Sequence, residues 1–562
     1  MIEKELRTLV QEKTKNLTEE NRSKRQLPSH LPAFFIGGFF LSLAIDILFW
    51  EKSFGFSFLI WVGLILLAAG VLAIIEGKRP HPSTYVLVAG VLLTTIMAVW
   101  RDEPGTRAYN VFFTLLLLGL TSDSLLSGEA FHFRIGDAFL RLWLLVFAAF
   151  ERPIQALTTL SEQRKTQKKK VRPWRRVWLP VLRGILIAVP ILLIFATLLS
   201  SADPVFEKVL TDFWAFLKIE DWGEFAFRTF YIIVLGFCFS GLLLHAFSKK
   251  RYYHLPEKGK PGFKPFLGKI ESFTVLFLII LLFGLFIFIQ FRYFFGGNSN
   301  INFAGYTYAE YARKGTEELI IVAILSLGLY QLLHTITRLE QKTGRTWMHF
   351  LMTILIVEVV IILLSSYQRL AMYELIYGFS RIRVRTHLFI LWLSALLGLV
   401  ILLEWTGKSR RFFLVLLFVS LGFVASQGFL NIDKHIVEKN LARLDENLPQ
   451  ESWEGLDHSY LALLSNDAVP IMIEASQDTS LEEEVREMFL AEVSCRLWSL
   501  EQEQTHDPSE AWVSQTPSSL RAKQVLLGLS KTNLPKIESD EWESNGVWLQ
   551  NGEMHYCYGF WQ

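Results

Sequence analysis

The sequence predicts an all-α polytopic transmembrane helix bundle of about eleven spans, followed by a small, mostly helical C-terminal soluble domain. Three observations predict it. Between Leu31 and Leu430 the chain is a succession of apolar runs, each of roughly 18–25 residues and long enough for a helix to cross a hydrocarbon core of ~30 Å. The composition is 51% hydrophobic and only 20% charged, and the charges gather between the runs. Residues 431–562 carry 24 Asp/Glu against 9 Lys/Arg, a net charge of −15, whereas residues 1–430 sum to +17. Such a split marks two environments, basic membrane loops and an acidic soluble tail.

The elements follow in order. Residues 1–30 are polar and include Lys4, Arg7, Lys13 and Arg25; they read as a cytoplasmic N-terminal segment, not a signal peptide, whose apolar core would follow at once. A four-span front part occupies 31–126, with spans at 31–50, 56–75, 83–100 and 108–126. Residues 127–178 come next. Within them Phe131–Phe150 is apolar only at its end and carries Arg134, Asp137 and Arg141, so it reads as an amphipathic helix lying at the inner interface. The basic linker behind it contains Lys168, Lys169 and Lys170. These could hold anionic lipid at about 1 kcal/mol per cation, or simply fix orientation. The seven-span part, 179–430, has spans at 179–200, 226–247, 270–295, 316–337, 348–367, 384–404 and 411–430. Residues 431–562 form the acidic domain.

Cations mark the cytoplasmic side of a plasma (inner) membrane protein. The linker at 161–176 and the loop at 248–269 are the richest in Lys and Arg, and both face inward if the N-terminus is cytoplasmic. An odd number of spans then makes the C-terminal domain extracytoplasmic. Its two cysteines, Cys495 and Cys557, could pair there, but two cysteines without a pattern do not decide it.

Three polar blocks fall on the outer side. In Ser201–Phe206, Asp203 precedes Pro204, a helix-start pair. In Tyr306–Leu319, Thr307 and Glu310 have capping-box spacing, Arg313 and Glu317 are four apart, and Glu318 lies near the end of a span. In Tyr367–Arg383, Arg369, Tyr373 and Tyr377 share a helix face, Glu374 sits beside them, Gly378 reads as a C-cap, and Arg381 and Arg383 open the next span. Glu358 is the clearest acid within a span, with Asp46 and Glu404 weaker cases; such groups face the bundle or a wet cavity. Two readings follow. Asp203, Arg313, Glu318, Glu358, Arg369, Tyr373, Glu374, Arg381 and Arg383 line an outward polar pocket, or salt bridges and tyrosines staple the outer loops together.

The blocks Ser201–Phe206, Tyr308–Leu319 and Tyr367–Arg385 resemble those of a bacterial integral membrane family. It is catalogued only as a domain of unknown function, number forty-one seventy-three, with forty-one fifty-three as a near relative. Asn440–Arg443, Leu456–Leu461 and Ser465–Pro470 are similar to its later blocks. The resemblance covers about residues 180–530, and the four-span front carries no motif that matches. Thr316–Glu317 follow Gly315 where such proteins more often have aromatic residues. The resemblance implies a multi-pass membrane protein and transfers no catalytic residue.

Catalytic and cofactor motifs are absent: no HExxH, GxSxG or CxxC occurs, and Thr406–Ser409 lacks the first glycine of a phosphate loop. No cofactor, metal or nucleic-acid partner is expected. In the tail, Leu481–Leu500 and Leu520–Leu529 read as helices, and Gly546–Gln562 as a strand pair turning at Asn551–Gly552. The leading expectation is a non-enzymatic binding, sensing or scaffold component that meets an extracytoplasmic protein or small molecule. A transporter is the alternative, and an enzyme acting on a lipid-linked substrate comes third.

Overall fold

The computed structural model describes residues 27–166, 222–248, 265–294, 316–338, 342–444, 457–506, 512–529, 534–539, 545–549 and 554–557, with isolated positions between 188 and 208. Its membrane-length helices are α1 (Leu31–Phe49), α2 (Phe56–Ile75), α3 (Pro82–Trp100), α4 (Pro104–Ser124), α5 (Ile135–Thr166), α6 (Trp222–Phe247), α7 (Lys269–Phe294), α8 (Thr316–Ile336), α9 (Lys342–Tyr377), α10 (Arg381–Trp405) and α11 (Phe412–Leu430). Among the described residues nine helices, these less α4 and α5, are long and apolar enough to cross a bilayer. The chain is therefore a helical multi-pass membrane protein. The expected span 179–200 falls almost entirely outside the described residues, as does the Lys168–Lys170 run.

Two expectations change. The span expected at 108–126 forms as α4 but starts earlier and keeps a polar face. Asn110, Thr114 and Thr121 are buried on it, and Thr114 bonds Thr94 of α3 at 2.8 Å. The amphipathic helix expected at Phe131–Phe150 forms with other bounds: a 3-10 turn at Glu129–His132 precedes α5, which is 32 residues long. The charges that interrupt its apolar run are accounted for locally. Asp137 accepts the Arg134 N–H at 3.3 Å, and Arg141 pairs with Asp123 at 3.0 Å while lying 4.2 Å from the centre of the Phe133 ring. The helix runs past Phe150 because Ala148, Ala149 and Ala156 give it a small-residue face that is buried.

The chain divides into two compact units that interleave in sequence. The first holds residues up to Trp50, Leu64–Arg79 and Leu144–Lys250. Here α1 and α6 pack closely, because a side-chain carbon at Gly38 would meet the Ser240 backbone nitrogen at 2.5 Å and the Gly236 oxygen at 2.7 Å. Asp46, 6% exposed, receives Arg228 Nε at 2.9 Å, Arg228 Nη2 at 2.7 Å and the Tyr231 hydroxyl. That pairing answers the question of what a carboxylate does inside the first span.

The second unit holds Glu51–Gly63, Pro80–Trp143 and Arg251–Gln562. Helices α7 to α11 share a core of Leu276, Ala323, Met352, Val359, Leu363, Leu397 and Val400. The C-terminal domain adds α12 (Ile432–Leu444), α13 (His458–Ala462), α14 (Val469–Gln477), α15 (Glu483–His506) and α16 (Pro517–Leu527). Their core, Val469, Met472, Phe489, Val493, Leu500 and Leu526, is continuous with Val384 of α10. The domain is thus seated on the membrane helices by apolar burial, not tethered to them by charge alone. Thr516 and Ser519 form a reciprocal capping box that starts α16.

The expected strand pair is a three-stranded antiparallel sheet: β1 (Glu538–Ser539), β2 (Asn545–Trp548) and β3 (Met554–Tyr556), in the order β1-β2-β3. Val547 pairs with His555, and the Asn551–Gly552 turn lies outside the described residues. Cys495 of α15 is joined by a disulfide to Cys557, just past β3, closing a separation of 62 residues. Under it lies a buried triad: Glu492 accepts from Arg496 Nε at 2.5 Å and contacts His555 Nε2 at 2.8 Å. Those two contacts hold the Glu492 carboxyl below its ordinary value, outweighing burial, which acts in the opposite direction.

Candidate functional site

The chain turns sharply between α9 and α10, and the C-terminal domain packs against this elbow. Gly378 ends α9 with φ +78°, the left-handed conformation expected of a C-cap. A side-chain carbon there would also come within 2.8 Å of Asn440 Oδ1. Asn440 of α12 accepts the Phe379 N–H at 2.7 Å and donates to the Phe379 carbonyl at 3.1 Å, holding the elbow as a strand partner would.

The last carbonyls of α9 have no partners within the helix, and two arginines take them. Arg443 Nη1 donates to Leu375 and Ile376 oxygens at 3.4 and 3.3 Å. Arg383 Nη1 donates to Tyr377 O at 3.0 Å and to Gly378 O, and its guanidinium lies 4.2 Å from the centre of the Tyr373 ring.

Arg381 opens α10 and forks onto Asp433, with Nε to Oδ1 at 2.7 Å and Nη2 to Oδ2 at 2.6 Å. Asp433 is fully buried and also accepts Ser465 N at 2.7 Å and Ser465 Oγ at 2.6 Å. Arg381 further lies 3.6 Å from Glu103, which pairs closely with Arg385. The backbone N–H of Arg381 donates to the Tyr460 hydroxyl at 2.8 Å.

Glu103 comes from the loop between α3 and α4, where it also caps α4 through the N–H groups of Gly105 at 3.0 Å and Thr106 at 2.6 Å. Its burial opposes charge, yet Arg385 and Thr106 outweigh this and hold its carboxyl below the ordinary value. The same loop is bound from the other side by Asp467. That carboxylate accepts the N–H groups of Asp102 at 2.7 Å and Glu103 at 3.0 Å, and the Ser518 hydroxyl at 2.5 Å. Burial pushes the Asp467 carboxyl up despite these donors.

Between elbow and domain runs a cleft of about 470 Å³. Arg381, Arg383, Arg385 and Arg443 line it, together with Tyr377, Asn440, Tyr460 and a single carboxylate, Asp457. Glu103 and Asp433 compensate Arg381 and Arg385. Among the described residues no carboxylate reaches Arg383. The chemistry offered is a row of fixed N–H forks with positive charge in excess, which suits planar or tetrahedral oxyanions. Among the described residues no group of three or more His, Cys, Asp or Glu is arranged to hold a metal ion.

Of the nine residues read from sequence, Tyr373, Glu374, Arg381 and Arg383 meet around the elbow. Glu374 is buried and contacts His387 Nε2 at 2.8 Å. Arg369 is buried one turn before Tyr373 on α9. Glu318 is exposed in the first turn of α8, where its charge complements the helix N-terminus and needs no buried partner. Asp203 is exposed and belongs to the first unit. Arg313 lies outside the described residues. Glu358 sits far down α9 from the elbow, beside Gly284 of α7.

Sequence reasoning missed Glu103, Arg385, Asp433, Asn440, Arg443, Tyr460 and Asp467. A signal was present. Asn440, Arg443, Tyr460 and Asp467 all fall within the later blocks on which the family resemblance rested, and these blocks converge on the elbow.

No curated protein and no solved structure matches the chain. A family model does, over residues 88–475, so the match begins within α3, well ahead of residue 180, and takes in part of the front that had offered no motif. The family is forty-one fifty-three, the one read from sequence as the near relative. With most of its length covered from the third helix to the C-terminal domain, this chain belongs to the family described as Domain of unknown function (DUF4153).

Proposed function

We propose that this protein is a non-enzymatic binding component of a bacterial inner membrane, and that its elbow cleft binds a phosphate-bearing group. The observation that carries the reading is the cleft lining: four arginines against one carboxylate, with Arg383 held, among the described residues, by carbonyl oxygens and a tyrosine face. Carbonyls orient a guanidinium without cancelling its charge, so Arg383 remains able to attract an anion. The cleft lies where α9 ends and α10 begins, the level of lipid headgroups if both helices span, and Ile382 on its lining is 74% exposed. A lipid phosphate and a free phosphate share the chemistry that would be recognised.

The charge split supports a cytoplasmic N-terminus and an extracytoplasmic domain. The Cys495–Cys557 disulfide supports the same side for the domain, since disulfides persist in oxidising compartments.

The test is ligand-induced stabilisation of the full-length protein, with inorganic phosphate in detergent and with phosphatidylglycerol against phosphatidylcholine in nanodiscs. A rise in melting temperature with either phosphate source that is lost in Arg383→Gln supports the reading. A rise with phosphatidylglycerol alone assigns the site to lipid, and a rise with inorganic phosphate assigns it to a soluble anion. An equal rise in the variant, or none in the parent protein, overturns it.

A further inference from the structure

We propose that Glu358 is a proton-binding site inside the membrane, a carboxyl that takes up and releases a proton on the seam between α7 and α9. Nothing in the elbow cleft is needed for this inference; a different set of observations carries it. Glu358 lies near the middle of the apolar span Thr346–Tyr377, about 18 Å of helix from one end and about 28 Å from the other. Its Oε1 lies 3.4 Å from the place a side-chain carbon would occupy on Gly284, so α7 has a glycine where α9 presents the acid. Its Oε2 is buried, and among the described residues it has no hydrogen-bond partner.

Among the described residues no counter-charge stands at that depth. Among the described residues the helices that pack most closely against α9 are α7, α8 and α10. Between Glu271 and Arg292, α7 has no titratable side chain; between Glu318 and Tyr330, α8 has none; between His387 and Glu404, α10 has none. On α9 itself the nearest titratable groups are His349 and Tyr367. An ionised carboxylate in such surroundings has neither cation nor donor to stabilise it.

A metal cation is a poor alternative, because sodium and calcium need several oxygen ligands and among the described residues one carboxyl stands alone here. A proton needs only that one oxygen. The nearest polar side chains along the seam are Ser365 and Gln290, bonded to each other at 3.2 Å and about 10 Å further along α9. Arg369 follows on nearly the same face, so a polar stripe leads from Glu358 toward the elbow. Only 11% of the apolar window of α7 is buried, which leaves the seam near the surface that lipid covers.

Carbodiimide chemistry tests this directly. A protonated carboxyl adds its O–H across one C=N bond of a carbodiimide: the oxygen bonds the central carbon and the proton goes to nitrogen. The O-acylisourea then rearranges to a stable N-acylurea with no leaving group. Full-length protein in nanodiscs is treated with lipid-soluble dicyclohexylcarbodiimide or with a water-soluble carbodiimide, and adducts are mapped by mass spectrometry. The expected result is an adduct on Glu358 with the lipid-soluble reagent only, forming several-fold faster at mildly acidic than at mildly alkaline pH. Glu358→Gln abolishes it, while Glu358→Asp keeps an adduct at that position and so guards against a folding artefact. Absence of the adduct, indifference to pH, or protection by sodium ions would each overturn the assignment, the last in favour of a metal cation.

Discussion

Two of the carboxylates inside membrane-length helices of this chain, Asp46 and Glu358, have surroundings that could hardly differ more. Asp46 of α1 receives three donors, two from Arg228 and one from Tyr231, with Trp50 stacked on Tyr231 at 5.9 Å. Glu358 of α9 has a glycine beside it and no donor among the described residues. The first arrangement neutralises a charge by pairing it; the second leaves only removal of the charge itself. The elbow is a third case, in which Asp433 and Glu103 are buried and paired but an excess of arginine remains. The contrast separates acids that hold helices together from one that has no structural work to do.

The largest effect should come where pairing is densest. Asp433→Ala strips Arg381 of its fork, leaves Ser465 N without its acceptor and leaves Ser465 Oγ with Asp467 at 3.3 Å. Breaking a buried pair from one side costs about 3–5 kcal/mol. The expected outcome is a large fall in melting temperature and release of the C-terminal domain to proteolysis. A variant as stable as the parent would mean that apolar contact alone seats the domain.

Removing the disulfide comes next. Cys495→Ser with Cys557→Ser opens a 62-residue loop, for which chain entropy predicts a loss of about 4 kcal/mol at most. Thermal unfolding with and without reductant should reproduce the difference in the parent protein. In intact cells both thiols should resist alkylation until a reductant is added.

The two membrane acids then make the sharpest contrast. Asp46→Asn leaves Arg228 with Glu224 as its remaining carboxylate at 3.0 Å and should lower the melting temperature. Glu358→Gln, which swaps one neutral group for another if Glu358 holds a proton, should leave it unchanged. Equal losses in both variants would show that Glu358 is paired after all.

How much of this was legible beforehand depends on the range of the interaction. The spans follow from apolar runs of the right length, and the C-cap at Gly378 from a glycine at the end of a helical stripe, both local signals. Arg381 and Arg383 are legible as the cations that open a span within a polar block on the outer side. Their partners could not be read the same way. Asp467 meets the Glu103 backbone across 364 residues, and Asp433 meets Arg381 across 52, separations that no periodicity encodes. Glu318 is drawn into the expected pocket by its place near the end of a span, a place that leaves it exposed. The Asn440–Arg443 and Ser465–Pro470 blocks were visible as similar to a family, but similarity names positions without saying what they touch.

The smallest effect concerns acid. The folded-state carboxyls of Glu492 and Glu103 are both held below the ordinary glutamate value, by Arg496 and His555 for the first and by Arg385 and Thr106 for the second, in each case against burial. A depressed folded value means that the unfolded chain binds its proton first as pH falls. Their stabilisation is therefore fully present above about pH 4.5 and is lost as pH falls through the depressed values. Asp467 acts in the opposite sense, since burial raises it, and its protonation in the folded state offsets part of the loss. His435 adds to the loss, because burial and then Lys439 depress it, so acid favours its charged form in the unfolded chain. Melting temperature should accordingly decline on acidification, with a shallower decline in Glu492→Gln once its own lower baseline is subtracted. A variant whose pH profile runs parallel to the parent's would remove the buried triad from the account and leave the elbow carboxylates to explain the slope.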